Sequence, residues 1–283
     1  MRWLFLFVML CSSAAFAETS LWRVSKGDHS LFIGGTIHVL RETDYPLPAA
    51  FDKAFAAATT LIFETDVAAT EDPVFAQQMM QRLMYTDGRS LQDGLSPAVY
   101  RQLEKFCAER GVPIVMFQQM RPPAAALTLM MMELQRLGIS NAGVDSHYYQ
   151  RAQAEHKIIG ELETPAEQLE FLAGLGEGRE DDFVRYSLKD MQQLETVMRD
   201  LTEAWRTGDQ AKMAQLSLDE LRREFPLIYR QLLVERNNNW VPRIEALLND
   251  PATELVLVGA LHLVGNEGVL ALLRQRGYKI EQW

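Results

Sequence analysis

Ser30-Leu31-Phe32-Ile33-Gly34-Gly35-Thr36-Ile37-His38, near the start of the chain, has a counterpart near its end in Glu254-Leu255-Val256-Leu257-Val258-Gly259-Ala260-Leu261-His262. Each stretch begins as a short apolar run rich in branched side chains, which predicts a buried strand. Each ends in the motif G-x-x-H, and a glycine just past a strand lets the backbone bend or approach another group closely. We therefore expect His38 and His262 to emerge at the carboxyl ends of two strands.

The carboxyl edge of an open α/β sheet is where ligands bind, and strands far apart in sequence can be neighbours there. The shared local context of the two histidines therefore favours one common site. The alternative is that His38 and His262 are separate core histidines, because intermediate burial is ordinary for this residue type.

The rest of the pattern predicts an α/β fold, with a central β-sheet, flanking helices and a large helical insertion. A hairpin over 21–33 is followed by a helix over 48–58 and a strand over 59–64. From about 181 to 250 the pattern is continuously helical. Asp145 is placed to cap the helix that follows it. No repeat or flexible linker divides the chain, so we expect a single domain over 18–283.

The first residues, Met1 to Ala17, have the pattern of a cleavable signal peptide. Arg2 supplies a positive charge, an apolar stretch follows, and Ala15-Phe16-Ala17 forms a small-x-small cleavage site before Glu18. The apolar stretch is too short to cross a bilayer, and no later segment has a transmembrane pattern. We therefore expect a periplasmic protein with no stable membrane anchor.

The net charge and the cysteine content of the chain limit the partners and the thiol chemistry to be expected. The chain has 28 basic and 38 acidic residues, a formal net charge of −10, and removal of the leader with Arg2 makes it −11. Nucleic-acid binding relies on basic residues that neutralise phosphates, so we expect no nucleic-acid partner. Of the two cysteines, only Cys107 lies outside the leader, in a helical pattern that favours a buried thiol.

Three further charged residues are candidates for a site. Glu64 ends an apolar run, where a carboxylate costs desolvation unless a cation or hydrogen-bond donors compensate it. Glu163 shares a strand face with Glu161; alternatively Glu161 is exposed and Glu163 caps the next helix. Arg236 has a donor fork suited to a substrate carboxylate or an oxyanion, or it braces Glu64 or Glu163 in an ion pair.

Five segments together resemble the TraB/GumN family, which is related to the Tiki-type membrane-associated metalloproteases. The resemblance covers nearly all of the chain after the leader. It implies an α/β fold and a divalent-metal site formed by dispersed His and Glu residues. The segments that carry it are Gly34-Gly35-Thr36-Ile37-His38, Leu61-Ile62-Phe63-Glu64, Gly160-Glu161-Leu162-Glu163-Thr164, Glu235-Arg236-Asn237 and Val258-Gly259-Ala260-Leu261-His262-Leu263-Val264-Gly265.

If His38, Glu64 and His262 converge, they supply the nitrogen and oxygen ligands typical of Mn²⁺, Co²⁺ or Zn²⁺. The leading hypothesis is a metal-dependent hydrolase acting on peptide or related amide bonds. In it Glu163 accepts a proton from water and Arg236 stabilises negative charge in the transition state. The sequence contains no H-E-x-x-H helix, no G-x-S-x-G elbow and no P-loop.

The alternative hypothesis is a non-catalytic protein with the same cleft. It would be a periplasmic envelope or exopolysaccharide-related factor that binds haem, a peptide or a glycan there. The sequence leaves the substrate and the oligomeric state open under both hypotheses.

Overall fold

A computed structural model describes residues 19–70, 72–139, 143–249 and 252–283. The predicted signal peptide, Met1–Ala17, lies outside the described residues. Within the described ranges, no helix combines the length and apolar character needed to cross a bilayer.

The centre of the fold is a mixed six-stranded sheet with the strand order β4-β3-β5-β2-β1-β6. The four strands from β4 to β2 run parallel, and β1 pairs antiparallel with both β2 and β6. The predicted hairpin is β1 and β2. The strands are β1 Leu21–Lys26, β2 His29–Thr36, β3 Thr60–Phe63, β4 Ile158–Glu161, β5 Glu254–Gly259 and β6 Lys279–Gln282.

The two motif strands, β2 and β5, are direct neighbours in the sheet. They pair in parallel, with Thr36 opposite Gly259 at their carboxyl ends. All six residues of β5 are buried, because the sheet has an apolar cluster on each face. Leu255 and Leu257 join one cluster, and Val256 and Val258 join the other. Coverage of both faces explains why residues 255–258 are all apolar.

Thirteen α-helices within the described residues surround this sheet, so the predicted α/β class is confirmed. The helical pattern around Cys107 forms a helix that begins at Pro97, because the Ser96 hydroxyl caps it by accepting from the Val99 N–H. The helices are α1 Ala49–Ala57, α2 Val67–Thr70, α3 Pro73–Leu83, α4 Pro97–Glu109, α5 Pro122–Arg136, α6 Val144–Ala154, α7 Pro165–Gly174, α8 Glu180–Thr207, α9 Gln210–Ser217, α10 Asp219–Glu224, α11 Pro226–Tyr229, α12 Glu235–Leu247 and α13 Val269–Gln275.

The helical insertion is α8 to α12, between β4 and β5. Its first helix is fixed to the first motif, because the buried Trp205 indole N–H donates to the Gly35 carbonyl at 2.6 Å. A π-helical turn, Arg230–Val234, leads directly into α12. Helix α12 brings Arg236 to the carboxyl edge of the sheet, where both histidines lie.

Cys107 lies on the buried face of α4 and is fully buried. Burial raises the pKa of its thiol to about 11, so the side chain is a neutral thiol at pH 7. This agrees with the buried thiol expected from the helical pattern.

Candidate functional site

The two motif histidines and Glu64 meet above Gly259. His38 follows β2 by two residues, and His262 lies on the 3-10 turn Ala260–His262 after β5. A Cβ atom added to Gly259 would lie 3.2 Å from His38 Nε2, 3.3 Å from Glu64 Oε1 and 3.5 Å from His262 Cδ2. Because Gly259 has no side chain, the three groups share a small open space.

The orientation of His262 is fixed by Asn237. The Asn237 Nδ2 group donates to the Glu267 carbonyl at 2.8 Å, so its Oδ1 atom faces His262 Nδ1 at 2.7 Å. His262 therefore carries its proton on Nδ1 and a lone pair on Nε2. Burial lowers the pKa of His262 to about 3, although the charge of Glu64 opposes the shift. The imidazole is neutral at pH 7.

His38 is held by a carboxylate instead. Its Nδ1 atom lies 2.8 Å from Asp145 Oδ2, and Asp145 Oδ1 accepts from the Thr36 hydroxyl at 2.8 Å. The charge of Asp145 raises the pKa of His38 to about 9, although burial opposes the shift. The prediction that Asp145 caps α6 is wrong. The N-cap is Gly143, with no side-chain cap bond, because the Asp145 carboxylate is engaged by His38 and Thr36.

The close approach of α6 to the first motif depends on Gly143. The Val144 N–H donates to the Ile37 carbonyl at 3.0 Å. A Cβ atom on Gly143 would lie 2.2 Å from the His38 carbonyl oxygen, so another residue would push the helix away. Asp145 reaches His38 only because α6 begins against this backbone.

Glu64 is the buried carboxylate of the site, with 8% of the residue exposed. Its Oε1 atom accepts from the Gly259 N–H at 2.7 Å and lies 3.9 Å from His38 Nε2. Its Oε2 atom accepts from Arg236 Nη2 at 2.6 Å. Burial by itself raises the pKa of this carboxyl, but the charge of Arg236, the two histidines and the Gly259 N–H lower it well below its usual range. Glu64 is therefore ionised at pH 7.

Arg236 joins the two buried carboxylates. It binds Glu163 through two bonds, Nε to Oε2 at 3.1 Å and Nη2 to Oε1 at 2.6 Å, and its Nη1 atom lies 3.2 Å from His262 Nε2. The Trp240 indole N–H also donates to Glu163, at 3.0 Å. Burial opposes the charge of Arg236, but Glu64 and Glu163 raise the pKa of the guanidinium above its usual value. This geometry matches the second interpretation of Arg236, in which it braces the glutamates in ion pairs.

Glu163 is buried in this cluster, whereas Glu161 is exposed at the end of β4. The alternative prediction, that Glu163 caps the next helix, is wrong. Thr164 is the N-cap of α7, and Glu167 completes a capping box by accepting from the Thr164 N–H. A polar side chain was available one residue later, so Glu163 is free to face Arg236.

Comparison with known proteins identifies the family of this chain. The model of the TraB/PrgY/gumN family matches residues 20–282. The chain belongs to this family. It is 25% identical over 252 residues to the uncharacterized protein YbaP of Escherichia coli (strain K12), which covers 88% of this chain and 89% of YbaP. It is 25% identical over 316 residues to metalloprotease TIKI1 of Homo sapiens, with 92% of this chain and 61% of TIKI1 covered.

Metalloprotease TIKI2 of Xenopus tropicalis is also 25% identical, over 315 residues that make up 92% of this chain and 59% of TIKI2. The chain thus spans about three fifths of the length of these metalloproteases. No solved structure shows a significant match. The resemblance expected from the sequence is confirmed at the level of the TraB/PrgY/gumN family.

The structure thus brings together all five residues that the sequence singled out, and it adds three that the sequence did not assign to the site. Trp240 lies one helical turn after Arg236, so it had a signal in the spacing along α12, whereas Asn237 is adjacent to Arg236 and had no such signal. Asp145 had none, because its partner His38 lies 107 positions away.

The side chains of this site carry nitrogen and oxygen atoms of the types that divalent ions bind. Each histidine donates from Nδ1 to a side-chain oxygen, which is how metal-ligating histidines are usually oriented, with Nε2 directed at the metal. Arg236 competes for two of the donors, His262 Nε2 and Glu64 Oε2. Among the described residues, no group of three or more His, Cys, Asp or Glu side chains has the spacing to hold a metal ion. The roles of His38, Glu64 and His262 as ligands stay predictions.

Proposed function

We propose that this protein is an exported, metal-dependent hydrolase that cleaves peptide or related amide bonds. His38, Glu64 and His262 would hold Mn²⁺, Co²⁺ or Zn²⁺. The observation that carries the proposal is the anchoring of both histidines through Nδ1, to Asp145 and to Asn237, because it leaves the Nε2 atom of each ring as the metal ligand. His38 Nε2 lies in the space above Gly259, with the His262 ring beside it. The similarity to proteins named metalloproteases supports hydrolysis as the reaction.

A bound divalent ion would polarise the scissile carbonyl and lower the pKa of water. Two side chains would assist it. Glu163 would accept the proton of the attacking water, and Arg236 would face the negative charge that develops on the carbonyl oxygen. Arg236 donates to both oxygens of Glu163, and a turn of its guanidinium from Glu163 toward the substrate would serve both roles. That single movement frees an acceptor on Glu163 and presents a cation to the reacting carbonyl.

The first experiment measures thermal unfolding of the metal-stripped chain from Glu18 onward, with Mn²⁺, Co²⁺ or Zn²⁺ added. A ligand that binds only the folded state raises the melting temperature. We expect one ion to stabilise the parent and the control His29→Ala, whose histidine is exposed on β2, but neither His38→Ala nor His262→Ala. If no ion separates the parent from these two variants, the metal site is wrong.

Cleavage is tested with a library of internally quenched peptides. The parent should release fluorescence only with the stabilising ion present, and Glu163→Gln should bind the ion but lose turnover. Periplasmic location belongs to the same proposal and rests on the leader pattern of Met1–Ala17. Cell fractionation, with the leader intact and deleted, tests it.

One observation favours the second candidate, a non-catalytic envelope factor. Arg236 forms ion pairs with both Glu64 and Glu163, so a residue of the chain itself supplies a cation beside both carboxylates. That protein would bind haem, a peptide or a glycan without turnover, and Glu163→Gln would leave binding unchanged. Metal-dependent cleavage by purified protein would exclude this candidate.

A further inference from the structure

A cavity of about 450 Å³ opens beside Glu163 and Arg236, and both residues line it. Helix α7 forms one wall, and α12 with the preceding π-helical turn forms the other. Its volume falls in the range of pockets that hold small organic ligands. Resting on the hydrolase proposed above, we infer that this cavity receives a bulky, uncharged side chain of the substrate, aromatic or large aliphatic, next to the bond that is cleaved.

Part of the cavity lining is apolar and lies beside charged and polar side chains. Leu162, Ala166, Phe171 and Trp240 contribute to the lining. The Arg236 guanidinium lies between two of these rings, 4.7 Å from the Phe171 centroid and 4.5 Å from the Trp240 centroid. Burial of an apolar side chain against these walls is favourable in proportion to the area removed from water. An aromatic ring could also stack on Phe171.

The charged residues at the rim are already paired. Glu167 accepts from Arg243 at 2.6 Å, Glu170 pairs with Arg82, and Glu235 lies 3.7 Å from Arg230. These pairs reduce the free charge that could receive a charged side chain as it loses its water. The pairing therefore favours an uncharged occupant over a lysine or an aspartate.

One polar group at the rim remains available. The Asn239 side chain lines the cavity, is exposed, and has no hydrogen-bond partner among the described residues. Its amide can donate and accept at once, which matches the paired C=O and N–H groups of a peptide backbone. An apolar wall with an amide at the rim is the combination expected for a side-chain pocket in a peptide-binding cleft.

A second cavity, of about 520 Å³, lies on the other side of α7 and provides a contrast. It shares only Glu170 with the first cavity, and neither Glu163 nor Arg236 lines it. Arg82, Arg89 and Arg121 give it a charged lining. Helix α7 therefore carries a matched pair of alanines, with Ala166 facing the proposed pocket and Ala173 facing the other cavity.

The test measures the binding of four small probes by ligand-observed NMR: N-acetyl-tryptophanamide, N-acetyl-leucinamide, N-acetyl-lysinamide and N-acetyl-aspartamide. The first two should bind the parent at least about tenfold more tightly than the charged pair. Ala166→Trp fills the pocket and should weaken binding of the tryptophan amide about tenfold, whereas Ala173→Trp should leave it unchanged. Should Ala166→Trp not fold, Phe171→Ala replaces it, with the same weakening expected from loss of the ring.

Equal binding of the tryptophan amide to the parent and to a folded Ala166→Trp protein would overturn the pocket, as would tighter binding of a charged amide. These probes need no turnover, so the pocket and the hydrolase can fail separately. If the parent binds the apolar amides but cleaves no peptide, only the hydrolase is lost. If it cleaves peptides with equal kcat/KM whatever side chain flanks the bond, only the pocket is lost.

Discussion

The side chain of His38 in the first motif is 60% exposed and faces a carboxylate, whereas His262 in the second motif is 6% exposed and faces an amide. Their pKa values move in opposite directions, to about 9 and to about 3. In the metal-free protein at pH 7, the first imidazole is cationic and the second is neutral. The shared motif thus determines where each histidine emerges, and the helix packed against it determines its charge.

The partners of the two histidines come from different parts of the chain. Asp145 belongs to α6, which precedes β4, and Asn237 belongs to α12 in the helical insertion. Only the second motif also faces Arg236. The comparison therefore predicts that substitutions in α12 act mainly on the buried half of the site, and those in α6 on the exposed half.

The largest effect should come from Arg236→Met, which removes the cation from the buried part of the site around His262. Loss of the guanidinium leaves Glu64 and Glu163 buried without their cation, and removal of one partner of a buried pair costs about 3–5 kcal/mol. Urea unfolding at pH 7 measures the free energy of unfolding. The control is Arg243→Met on the same helix, whose exposed pair with Glu167 contributes at most about 1 kcal/mol. Equal losses in the two variants would show that the cluster around Arg236 is not a buried charge network.

Gly259→Ala should close the space that both histidines share. Its new methyl group would lie 3.2 Å from His38 Nε2 and 3.3 Å from Glu64 Oε1, so the metal-free fold adjusts by a few tenths of an ångström while an ion loses its place. An ion at one hundred times its Kd stabilises the folded state by about 2.7 kcal/mol, and this increment should vanish. The control is Gly160→Ala on β4, where a Cβ meets only the flexible end of Ile62. A metal-dependent rise in melting temperature that survives in Gly259→Ala would move the ion elsewhere.

Much of this site could be predicted from the sequence because its residues end regular elements. The apolar runs before His38 and His262 predict strands, and the glycines of each motif predict a bend at the strand end. Glu64 stands out because a carboxylate at the end of a buried run needs a partner. The helical spacing of α12 puts Arg236 and Trp240 on one face.

The role of Asp145 could not be predicted, because local sequence and tertiary packing disagree there. An aspartate near the start of a helical pattern favours capping, and no local feature indicates a partner 107 residues away. Glu163 is a second residue whose role depends on contacts that are distant in sequence. Its position before α7 allows a cap, and its burial against Arg236 depends on where the helical insertion folds. A charge state that depends on such distant contacts cannot be predicted from the local sequence pattern.

Exchange of the two partners tests that conclusion directly. Asp145→Asn gives His38 the amide that His262 has, so its pKa should fall from about 9 toward the ordinary value of 6.5. Asn237→Asp gives His262 a carboxylate, and its pKa should rise above about 3. The first change also replaces a charge-assisted hydrogen bond of a 60% exposed imidazole with a neutral one, which costs at most about 1 kcal/mol at pH 6. NMR titration of the imidazole protons in metal-free protein measures both shifts. If either pKa stays in place, the partner at Nδ1 does not control the charge.

The smallest predicted effect is a loss of folding stability at alkaline pH. His38 has a folded-state pKa of about 9 against an ordinary value of 6.5, so the folded state holds its proton more tightly than the unfolded chain. Its stabilising contribution is complete below pH 6.5 and is lost as the pH rises through 9. Because the side chain is 60% exposed, we expect the loss to stay below about 1 kcal/mol. Urea unfolding of the metal-free parent and of Asp145→Asn between pH 6 and 10 measures the free energy of unfolding. The variant should not show this alkaline loss. A parent whose stability is flat over that range, or rises, would mean that solvent screens the pair and that the two histidines differ less in charge than their partners imply.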